Sequence, residues 1–586
     1  MQDLARACAP LLSLVLSVVV VHQAAAAPVA TGTGGAVATI SAKASESALA
    51  ILNQGGNAID AAVAAAATLG VTDPFSCGIG GGGFMLIYLA KDQRVITIDH
   101  RETAPASTTP QLFQQDGKPI DFDLAVASGA AVGVPGTVRG WHEALERYGS
   151  MRFNQVLAPA IAVAETGFTV NPTFSGLIGQ NEYKFRQFTP TSELYLHQGK
   201  ALPAGALVRN PGLARAYREI AAGGVKAFYE GPIARAIVEA VNRPPVAPGA
   251  SVRPGAMTLA DLANYEARIR PALHSSYRGY DLYGMPLPSS GGASVAHALN
   301  ILEGFNLKAL PRARAEHLYL EASRLAFADR NAYLADPEYI DAPLAGLLSK
   351  DFAAQRRALI KPDRAAEGAV AAGDPYAFQN DPSVPLRPKA AVRLSGESAH
   401  TTHLTVSDQH GNVVAYTFTI ESWGGSGIVV PGYGFLLNNE MTDFDFEGPH
   451  PNLPEAGKRP RSSMAPTIAL RGGKPAFSIG SPGGATIITT VLQTIVNYVD
   501  FGMPMDAAIN APRISQRNAL ETSIEPGFAG SAQARALEKF GQRWEAAPEE
   551  IGAANALVFN PDGSVTAVSE GRRHGVGTAL VQRRAH

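Results

Sequence analysis

The stretch Glu397-Ser398-Ala399-His400-Thr401-Thr402-His403 opens the most regular pattern in this chain. Residues 402–407 alternate in character, residues 408–412 are turn formers, and residues 413–420 are rich in β-branched and aromatic side chains. This pattern predicts a β-hairpin with Thr401 at its head. A threonine hydroxyl is a weak nucleophile, but a threonine that begins a chain has its own α-amine as a base, with a pKa of about 7.7–8.0. The pattern alone does not say that the chain breaks at Thr401.

Three further motifs follow in order, Gly411-Asn412, Leu436-Leu437-Asn438-Asn439-Glu440-Met441 and Ser478-Ile479-Gly480-Ser481-Pro482-Gly483-Gly484. Together with the run from Glu397 to His403, they resemble the gamma-glutamyltranspeptidase family of N-terminal nucleophile hydrolases. Members are made as one chain that cuts itself before a threonine, which here matches the bond between His400 and Thr401. For the threonine pair taken alone, a hairpin with two surface threonines is the alternative.

The resemblance implies an α+β fold, the four-layer αββα sandwich of N-terminal nucleophile hydrolases. Its two pieces would be a large subunit of residues 28–400 and a small subunit of residues 401–586. They would stay associated, because both contribute strands and neither is expected to fold alone.

The resemblance also implies cleavage of γ-glutamyl amides such as glutathione through a glutamyl–threonine intermediate, released by water or an amino acid. Thr401 would be the nucleophile, and Thr419 would support its hydroxyl. The residues expected to bind the α-carboxylate are Arg101, Ser462 and Ser463, and those expected to bind the α-amino group are Glu440 and Asp443. No metal and no organic cofactor is expected.

The chemistry of Arg101 agrees with its assigned role, and the chemistry of a glycine pair indicates an oxyanion site. A planar, permanently charged guanidinium such as that of Arg101 can clamp a carboxylate through two parallel hydrogen bonds, which lysine would not reproduce. Gly483 and Gly484 form a tight turn before a predicted helix over residues 486–499. Consecutive backbone N–H groups at a helix N-terminus suit an oxyanion, and glycine lets the substrate carbonyl approach closely.

Composition narrows the class of partner. The chain has 586 residues, 17% of them charged, and a formal net charge of −2, with no run of Lys and Arg suited to a phosphate backbone. Nucleic acid is therefore not an expected partner, whereas a small-molecule substrate is.

The two cysteines are Cys8 and Cys77, and Cys77 lies in a Gly-rich apolar stretch without a nearby His or Lys, which predicts a buried structural thiol.

The first segment predicts export. Arg6 precedes an apolar stretch over residues 11–21, and four alanines at 24–27 suit cleavage, so residues 1–27 are expected to be a signal peptide. The apolar stretch is shorter than the ~20 residues that span a bilayer, and no later segment offers such a span. The mature protein is therefore expected in the periplasm or outside the cell, without a membrane anchor.

The remaining sequence patterns predict structural segments without a catalytic or binding role. The glycines of residues 78–83 satisfy a dinucleotide fingerprint literally, but a strand is predicted after them where that fingerprint needs a helix. Helical spacing covers residues 140–148, 153–166, 211–222 and 232–241. The Pro-, Ala-, Gly- and Asp-rich residues 361–396 show little periodicity and predict an exposed, loosely held connector.

Two departures from the family pattern leave alternatives open. Glu421 stands where many members carry an asparagine for the α-amino group, and residues 444–461 are shorter than in members with a lid over the site. A cephalosporin (glutaryl) acylase or related amidase on the same scaffold is therefore the second hypothesis. A binding protein with a dead site is a third, against which Thr401, Arg101 and the glycine pair argue.

Overall fold

The computed structural model describes residues 28–379, 400–571 and 577–583. The predicted signal peptide and residues 380–396 of the predicted connector lie outside these ranges. The hairpin is confirmed, with antiparallel strands Thr402–Ser407 and Val413–Thr419. Its turn is held by the Asp408 carboxylate, which accepts hydrogen bonds from the backbone N–H groups of His410 at 2.8 Å and Asn412 at 3.1 Å.

The hairpin lies inside an antiparallel sheet, here called the nucleophile sheet, that has seven strands among the described residues. In spatial order they are Arg268–Pro271, Arg94–Asp99, Gly82–Leu89, Val413–Thr419, Thr402–Ser407, Ala36–Thr39 and Thr578–Val581. Strands from before and after Thr401 are therefore hydrogen-bonded to one another within a single sheet.

The second sheet also has seven antiparallel strands within the described ranges. In spatial order they are Val29–Gly32, Val565–Ser569, Asn555–Phe559, Lys474–Gly480, Thr467–Arg471, Tyr280–Gly284 and Leu273–Tyr277. Both parts of the chain again contribute strands, because Tyr280–Gly284 pairs with Thr467–Arg471. Two-residue ladders join Gln114–Gln115 with Lys118–Pro119, Phe168–Thr169 with Leu207–Val208, Leu196–His197 with Lys200–Ala201, and Ile514–Ser515 with Ser523–Ile524.

The two sheets face each other and helices cover their outer faces, which confirms the four-layer αββα sandwich. Alternate residues of a strand point to opposite faces. Val414 and Tyr416 accordingly join one apolar core with the helices Ala42–Asn53 and Ala58–Thr72, whereas Val413 and Ala415 join another core with the second sheet. That core also holds helices Gly291–Glu303, Arg312–Tyr333 and Thr486–Val499.

The other helices of the described chain form the outer scaffold. They are Phe122–Val126, Thr137–Tyr148, Phe153–Thr166, Pro172–Phe185, Thr189–Tyr195, Pro211–Gly223, Val225–Tyr229, Pro232–Asn242, Leu259–Ala263, Leu344–Leu348, Lys350–Arg357, Met505–Asn510 and Ala532–Glu538, with 3₁₀ turns Gly129–Ala131, Leu307–Ala309, Pro375–Phe378 and Glu440–Asp443. The four predicted scaffold helices are confirmed, to within three residues at each end. None of the described helices is long and apolar enough to cross a membrane.

The predictions for the glycine run and for Cys77 are also confirmed, and a further local feature is the cap of a helix. Asn57 caps the helix Ala58–Thr72 by accepting from the N–H groups of Ile59 and Asp60, and the Asp60 carboxylate bonds back to the Asn57 N–H. The strand Gly82–Leu89 follows the glycine run, so no helix terminus is available there for a pyrophosphate. Cys77 is buried, and burial raises the pKa of its thiol well above the ordinary value.

Two local predictions are wrong. The described part of the connector, residues 361–379, is not loosely held: Ala365 and Ala372 are buried, and the Val370 N–H donates to the Asn518 side chain at 2.7 Å. The apolar residues 428–430 predict a short strand, but they form only a single bridge, between Val429 and Leu436. In both places long-range contacts decide the structure, and these leave no periodic signal in the sequence.

Candidate active site

Thr401 lies directly before the first hairpin strand and is buried. Its hydroxyl donates to the carbonyl oxygen of His400 at 2.5 Å and lies 3.2 Å from the hydroxyl oxygen of Thr419. The hairpin register explains this contact. Thr402 pairs with Phe418 in the antiparallel hairpin, so Thr401 lies opposite Thr419. The predicted nucleophile and its predicted helper therefore lie in hydrogen-bonding contact.

Thr419 links three groups of the site. Its hydroxyl donates to the His400 carbonyl oxygen at 3.0 Å and accepts from the backbone N–H of Glu421 at 2.9 Å. A hydroxyl has one donor and two acceptor sites. Because the Thr419 hydrogen is directed at the carbonyl, its oxygen remains an acceptor, and the single Thr401 hydrogen lies within reach of both this oxygen and the His400 carbonyl oxygen.

A small cavity opens at Thr401. Its lining contains all the residues that the sequence predicted for the site except Gly483, and it adds Met464 and Ile487. The lining consists of Arg101, His400, Thr401, Thr419, Glu421, Glu440, Asp443, Ser462, Ser463, Met464, Gly484 and Ile487. Residues far apart in sequence thus converge on one small volume around the predicted nucleophile.

Arg101 lies at the end of this cavity with a side chain that is almost fully buried. Its guanidinium forms ion pairs with Glu440 and Asp443. Two further contacts fix its plane: Nε donates to the Pro460 carbonyl at 3.2 Å, and Nη2 donates to the Arg461 carbonyl at 3.3 Å. The residue expected to bind a carboxylate is therefore paired with the residues expected to bind an ammonium.

Acidic groups outnumber the cation at this end of the cavity. Glu102 lies 4.0 Å from Arg101 and contacts Glu440 through its carboxyl group, which favours one shared proton between the two acids. Burial, opposed by the charge of Arg101, raises the pKa of Glu102 to about 8, and burial also raises the pKa of Glu440 well above its ordinary value. Burial lowers the pKa of Arg101, but the acids more than offset this and raise it overall.

Glu421 adds a further buried carboxyl from the loop after the hairpin. Its backbone has φ +76°, a left-handed conformation that is unfavourable for a residue with a side chain. The carboxyl accepts hydrogen bonds from Ser422 at 2.5 Å and from Asn439. Burial, reinforced by the charges of Asp443 and Glu440, raises the pKa of Glu421 to about 8. The group is therefore protonated at neutral pH and can itself donate a hydrogen bond.

Ser462 and Ser463 also line the cavity and lie before the strand Thr467–Arg471. The Ser462 hydroxyl accepts from the Met464 N–H at 3.1 Å, and the Ser463 hydroxyl accepts from Arg330 at 2.6 Å. Both serines thus have their oxygens held by donors of the protein, which fixes the positions of the hydroxyl groups in the cavity.

Gly483 and Gly484 form the predicted turn before the helix Thr486–Val499. Their φ angles are +137° and +54°, conformations that glycine adopts without steric cost. The Gly483 carbonyl accepts from the Thr486 N–H at 3.0 Å, and the Gly484 carbonyl accepts from the Ile487 N–H at 3.0 Å. Gly484 lines the cavity whereas Gly483 does not, so the predicted pair is only partly on its surface.

The loop after the hairpin also covers His400. The imidazole ring of His400 lies 4.0 Å from the ring of Trp423, centroid to centroid. Lys184 holds this loop from behind, donating from Nζ to the carbonyls of Trp423 at 2.5 Å and Gly425 at 3.0 Å. Burial, opposed by the charge of Glu421, lowers the pKa of Lys184 to about 8.

Sequence reasoning missed several residues that shape the site. Glu102 directly follows Arg101 and could have been noticed by that adjacency, and Asn439 is part of a motif that had been singled out. The others carry no local signal, because their roles depend on contacts between distant segments: Lys184, Arg330, Trp423, Met464 and Ile487.

Comparison with known proteins gives consistent results. A sequence model described as Gamma-glutamyltranspeptidase matches residues 44–580. The glutathione hydrolase proenzyme of Bacillus subtilis (strain 168) is 38% identical over 556 residues, covering 94% of this chain and 92% of that protein. The acylase ACY 1 proenzyme of Pseudomonas sp. (strain SE83) is 38% identical over 563 residues, covering 94% of each chain. The crystal structure of cephalosporin acylase from Bacillus halodurans superposes with a TM-score of 0.83 at 27% identity, covering 95% of this chain and 97% of that one.

Two facing antiparallel sheets between helical layers, with a buried threonine at the head of a central hairpin, define an N-terminal nucleophile hydrolase fold. Within that class, the match over most of the sequence settles the relationship. The chain belongs to the gamma-glutamyltranspeptidase family, and it is an enzyme of γ-glutamyl hydrolysis and transfer.

Proposed function

We propose that the chain is a precursor that cleaves itself between His400 and Thr401. The Thr401 oxygen attacks the His400 carbonyl carbon, the hydroxyl proton passes to the Thr401 nitrogen, and the C–N bond between the two residues breaks. An ester with a free Thr401 α-amine results. Water then hydrolyses the ester, leaving a carboxylate on His400 and a free Thr401 hydroxyl. The observation that supports this step is the contact of the Thr401 hydroxyl with the carbonyl it would attack, at 2.5 Å between the oxygens.

In the mature enzyme the same hydroxyl would attack the γ-carbonyl of a γ-glutamyl amide. The α-amine of Thr401 would take up the hydroxyl proton and return it to the leaving amine. Backbone N–H groups of Gly483 and Gly484 would hold the oxyanion at the start of the helix Thr486–Val499. Water or an amino acid would then release the glutamyl group, and no residue of this scheme requires a metal or a cofactor.

The charges of the cavity fit a zwitterionic head group. An α-amino acid carries one carboxylate and one ammonium, and the site holds the complementary charges, with Arg101 paired to Glu440 and Asp443. A γ-glutamyl group would replace those ion pairs, placing its α-carboxylate on Arg101, Ser462 and Ser463 and its ammonium on the acids. Charge-assisted hydrogen bonds of this kind contribute roughly 1.5–3 kcal/mol each.

Glutaryl amide hydrolysis is the second candidate. The similarity to a cephalosporin acylase structure over 95% of this chain favours it. A glutaryl group has the carboxylate but lacks the ammonium, so the acidic side of the cavity would have no cationic partner. The pairing of Arg101 with two acids therefore favours the γ-glutamyl group, for which glutathione is the expected natural donor.

The release of 4-nitroaniline from its γ-glutamyl and glutaryl amides separates these possibilities. A higher kcat/KM for the γ-glutamyl amide is expected from the proposed function. A preference for the glutaryl amide would favour the acylase, and release from neither would favour a protein without this activity.

The division of the chain and its location belong to the same proposal. Residues 1–27 would be removed during export to the periplasm or the exterior, leaving large (28–400) and small (401–586) subunits. Their association is supported by the shared sheets, since the strand Gly82–Leu89 pairs with Val413–Thr419.

A further inference from the structure

Arg330 lies behind the two cavity serines, on the helix Arg312–Tyr333. It is 3% exposed, so its contacts are made away from solvent. Its Nη2 donates to the Ser463 hydroxyl at 2.6 Å, its Nε donates to the Ser290 hydroxyl at 2.8 Å, and its Nη1 donates to the Asn331 side chain at 2.8 Å. One guanidinium therefore joins a residue of the cavity lining to two residues outside it.

Ser290 extends this contact to the neighbouring serine. Its hydroxyl and its backbone N–H both donate to the Ser462 carbonyl, at 2.6 Å and 2.7 Å. The Ser462 N–H in turn donates to the Pro288 carbonyl at 3.1 Å. The segment Pro288–Ser290 and the helix of Arg330 thus fix the backbone and one side chain of the Ser462–Ser463 pair.

We propose that Arg330 is a positioning residue for the donor carboxylate, acting through Ser463, an inference that rests on the proposed function. A hydroxyl oxygen that accepts from a guanidinium directs its own hydrogen to another acceptor, and polarisation by the charge makes it a stronger donor. In the mature enzyme that acceptor is the α-carboxylate of the γ-glutamyl group.

The charge of Arg330 complements that of Arg101. Arg101 is already paired with Glu440 and Asp443, so an incoming carboxylate competes with two protein carboxylates for it. Arg330 reaches the same part of the cavity through Ser463 and stays charged at all working pH values. It therefore attracts a carboxylate without being displaced from its own contacts.

Three anilides test this role. The γ-glutamyl and glutaryl anilides both carry the carboxylate, whereas the 4-aminobutanoyl anilide keeps the γ-glutamyl carbon chain and its amine without it. Arg330→Gln should lower kcat/KM about tenfold to a hundredfold for the first two, mainly by raising KM, and leave the third unchanged. An equal loss for all three, or no loss, would overturn the proposal.

Arg324→Gln is the matched control. Arg324 is buried on the same helix but donates to the carbonyls of Gly368 at 2.9 Å and Ala519 at 2.6 Å, which do not line the cavity. This variant should leave the ratio between carboxylate-bearing and carboxylate-free anilides unchanged. A change of ratio equal to that of Arg330→Gln would mean that the effect belongs to the helix rather than to the contact with Ser463.

A double-mutant cycle covers the case in which Arg330→Gln fails to fold. Arg330→Lys keeps the charge but lacks the planar fork of donors, so it should lose part of the carboxylate preference in the parent and none in a Ser463→Ala background. Equal losses in both backgrounds would contradict action through Ser463.

A binding measurement separates this inference from the proposed function. If the wild type releases no 4-nitroaniline from any anilide, the proposed function fails, and calorimetric binding of L-glutamate and 4-aminobutanoate still tests Arg330. If Arg330→Gln binds L-glutamate more weakly than the wild type does but binds 4-aminobutanoate equally well, the role of Arg330 is supported. If the wild type and the variant bind L-glutamate equally well, the proposal is wrong.

Discussion

The hydroxyl of Thr419 donates a hydrogen bond of 3.0 Å to the carbonyl oxygen of His400, the carbonyl at which the chain is expected to break. This donor points at the oxygen that becomes negative when Thr401 attacks. A donor aimed at a developing oxyanion contributes about 10²–10³ in rate where it has been removed from other enzymes.

Thr419→Ala should therefore slow self-cleavage by roughly 10²-fold. Thr419→Ser, which keeps the hydroxyl, should cleave much faster than the alanine variant. The loss of full-length chain with time, followed on denaturing gels, gives both rates. Cleavage of Thr419→Ala at the wild-type rate would remove this hydroxyl from the processing step.

Thr401→Ala should abolish both self-cleavage and anilide turnover, because the same hydroxyl attacks the His400 carbonyl during self-cleavage and the substrate carbonyl during turnover. The loss of turnover should reach about 10⁴-fold or more, as for other nucleophile deletions. Thr401→Ser should cleave, but slowly. If the alanine variant cleaves itself and turns over the anilide at wild-type rates, Thr401 is not the nucleophile.

Glu421 should set part of the preference for an ammonium-bearing donor. Its pKa is raised to about 8, so the carboxyl is neutral at pH 6.5 and becomes charged above pH 8. A charged carboxylate attracts the α-ammonium more strongly, and the preference for γ-glutamyl over glutaryl anilide should rise between these pH values.

Glu421→Asn and Glu421→Gln should remove that rise and lower the preference by up to about tenfold to a hundredfold at pH 8.5. The ratio of the two kcat/KM values, measured from pH 6 to pH 9, checks the prediction. A ratio that is the same in wild type and variants throughout would show that Glu421 does not sense the α-amino group.

Glu102 should make stability depend on pH. Its folded-state pKa of about 8 lies above the unfolded value, so the folded chain binds more protons and stability falls as pH rises from about 4.5 to 8. Glu102→Gln removes this titration. The Tm of the variant relative to wild type should therefore increase from pH 5 to pH 9, by roughly 1–3 °C for a protein of this size. A constant difference in differential scanning fluorimetry would contradict the raised pKa.

Export should leave a mature N-terminus near residues 26–28, as predicted from Arg6, the apolar stretch and the alanine run. Fractionation of the native host followed by N-terminal sequencing of the large chain measures this. Recovery of the Met1 terminus from the cytoplasmic fraction would be the opposite result.

Much of the site could be predicted because its signals are local. The turn residues fix the hairpin register, and the register places Thr401 opposite Thr419. The glycine turn before residues 486–499 likewise predicts both a helix start and a possible oxyanion site.

The remaining features depend on contacts between distant segments. Nothing near Arg101 in sequence indicates that it pairs with Glu440, and nothing near Arg330 indicates that it holds Ser463. The described part of the connector looks unstructured by composition, yet Asn518 holds it at Val370. Such contacts form only when the sheets and helices have assembled, so sequence periodicity does not report them.

The mass and N-terminal sequence of the small chain, taken before and during turnover of a γ-glutamyl anilide, test directly whether self-cleavage makes Thr401 the nucleophile. We expect a chain that begins at Thr401 and, in rapidly quenched samples, a fraction heavier by one γ-glutamyl group on its first residue. A small chain with a different first residue, or an adduct mapped to any residue other than Thr401, would contradict it.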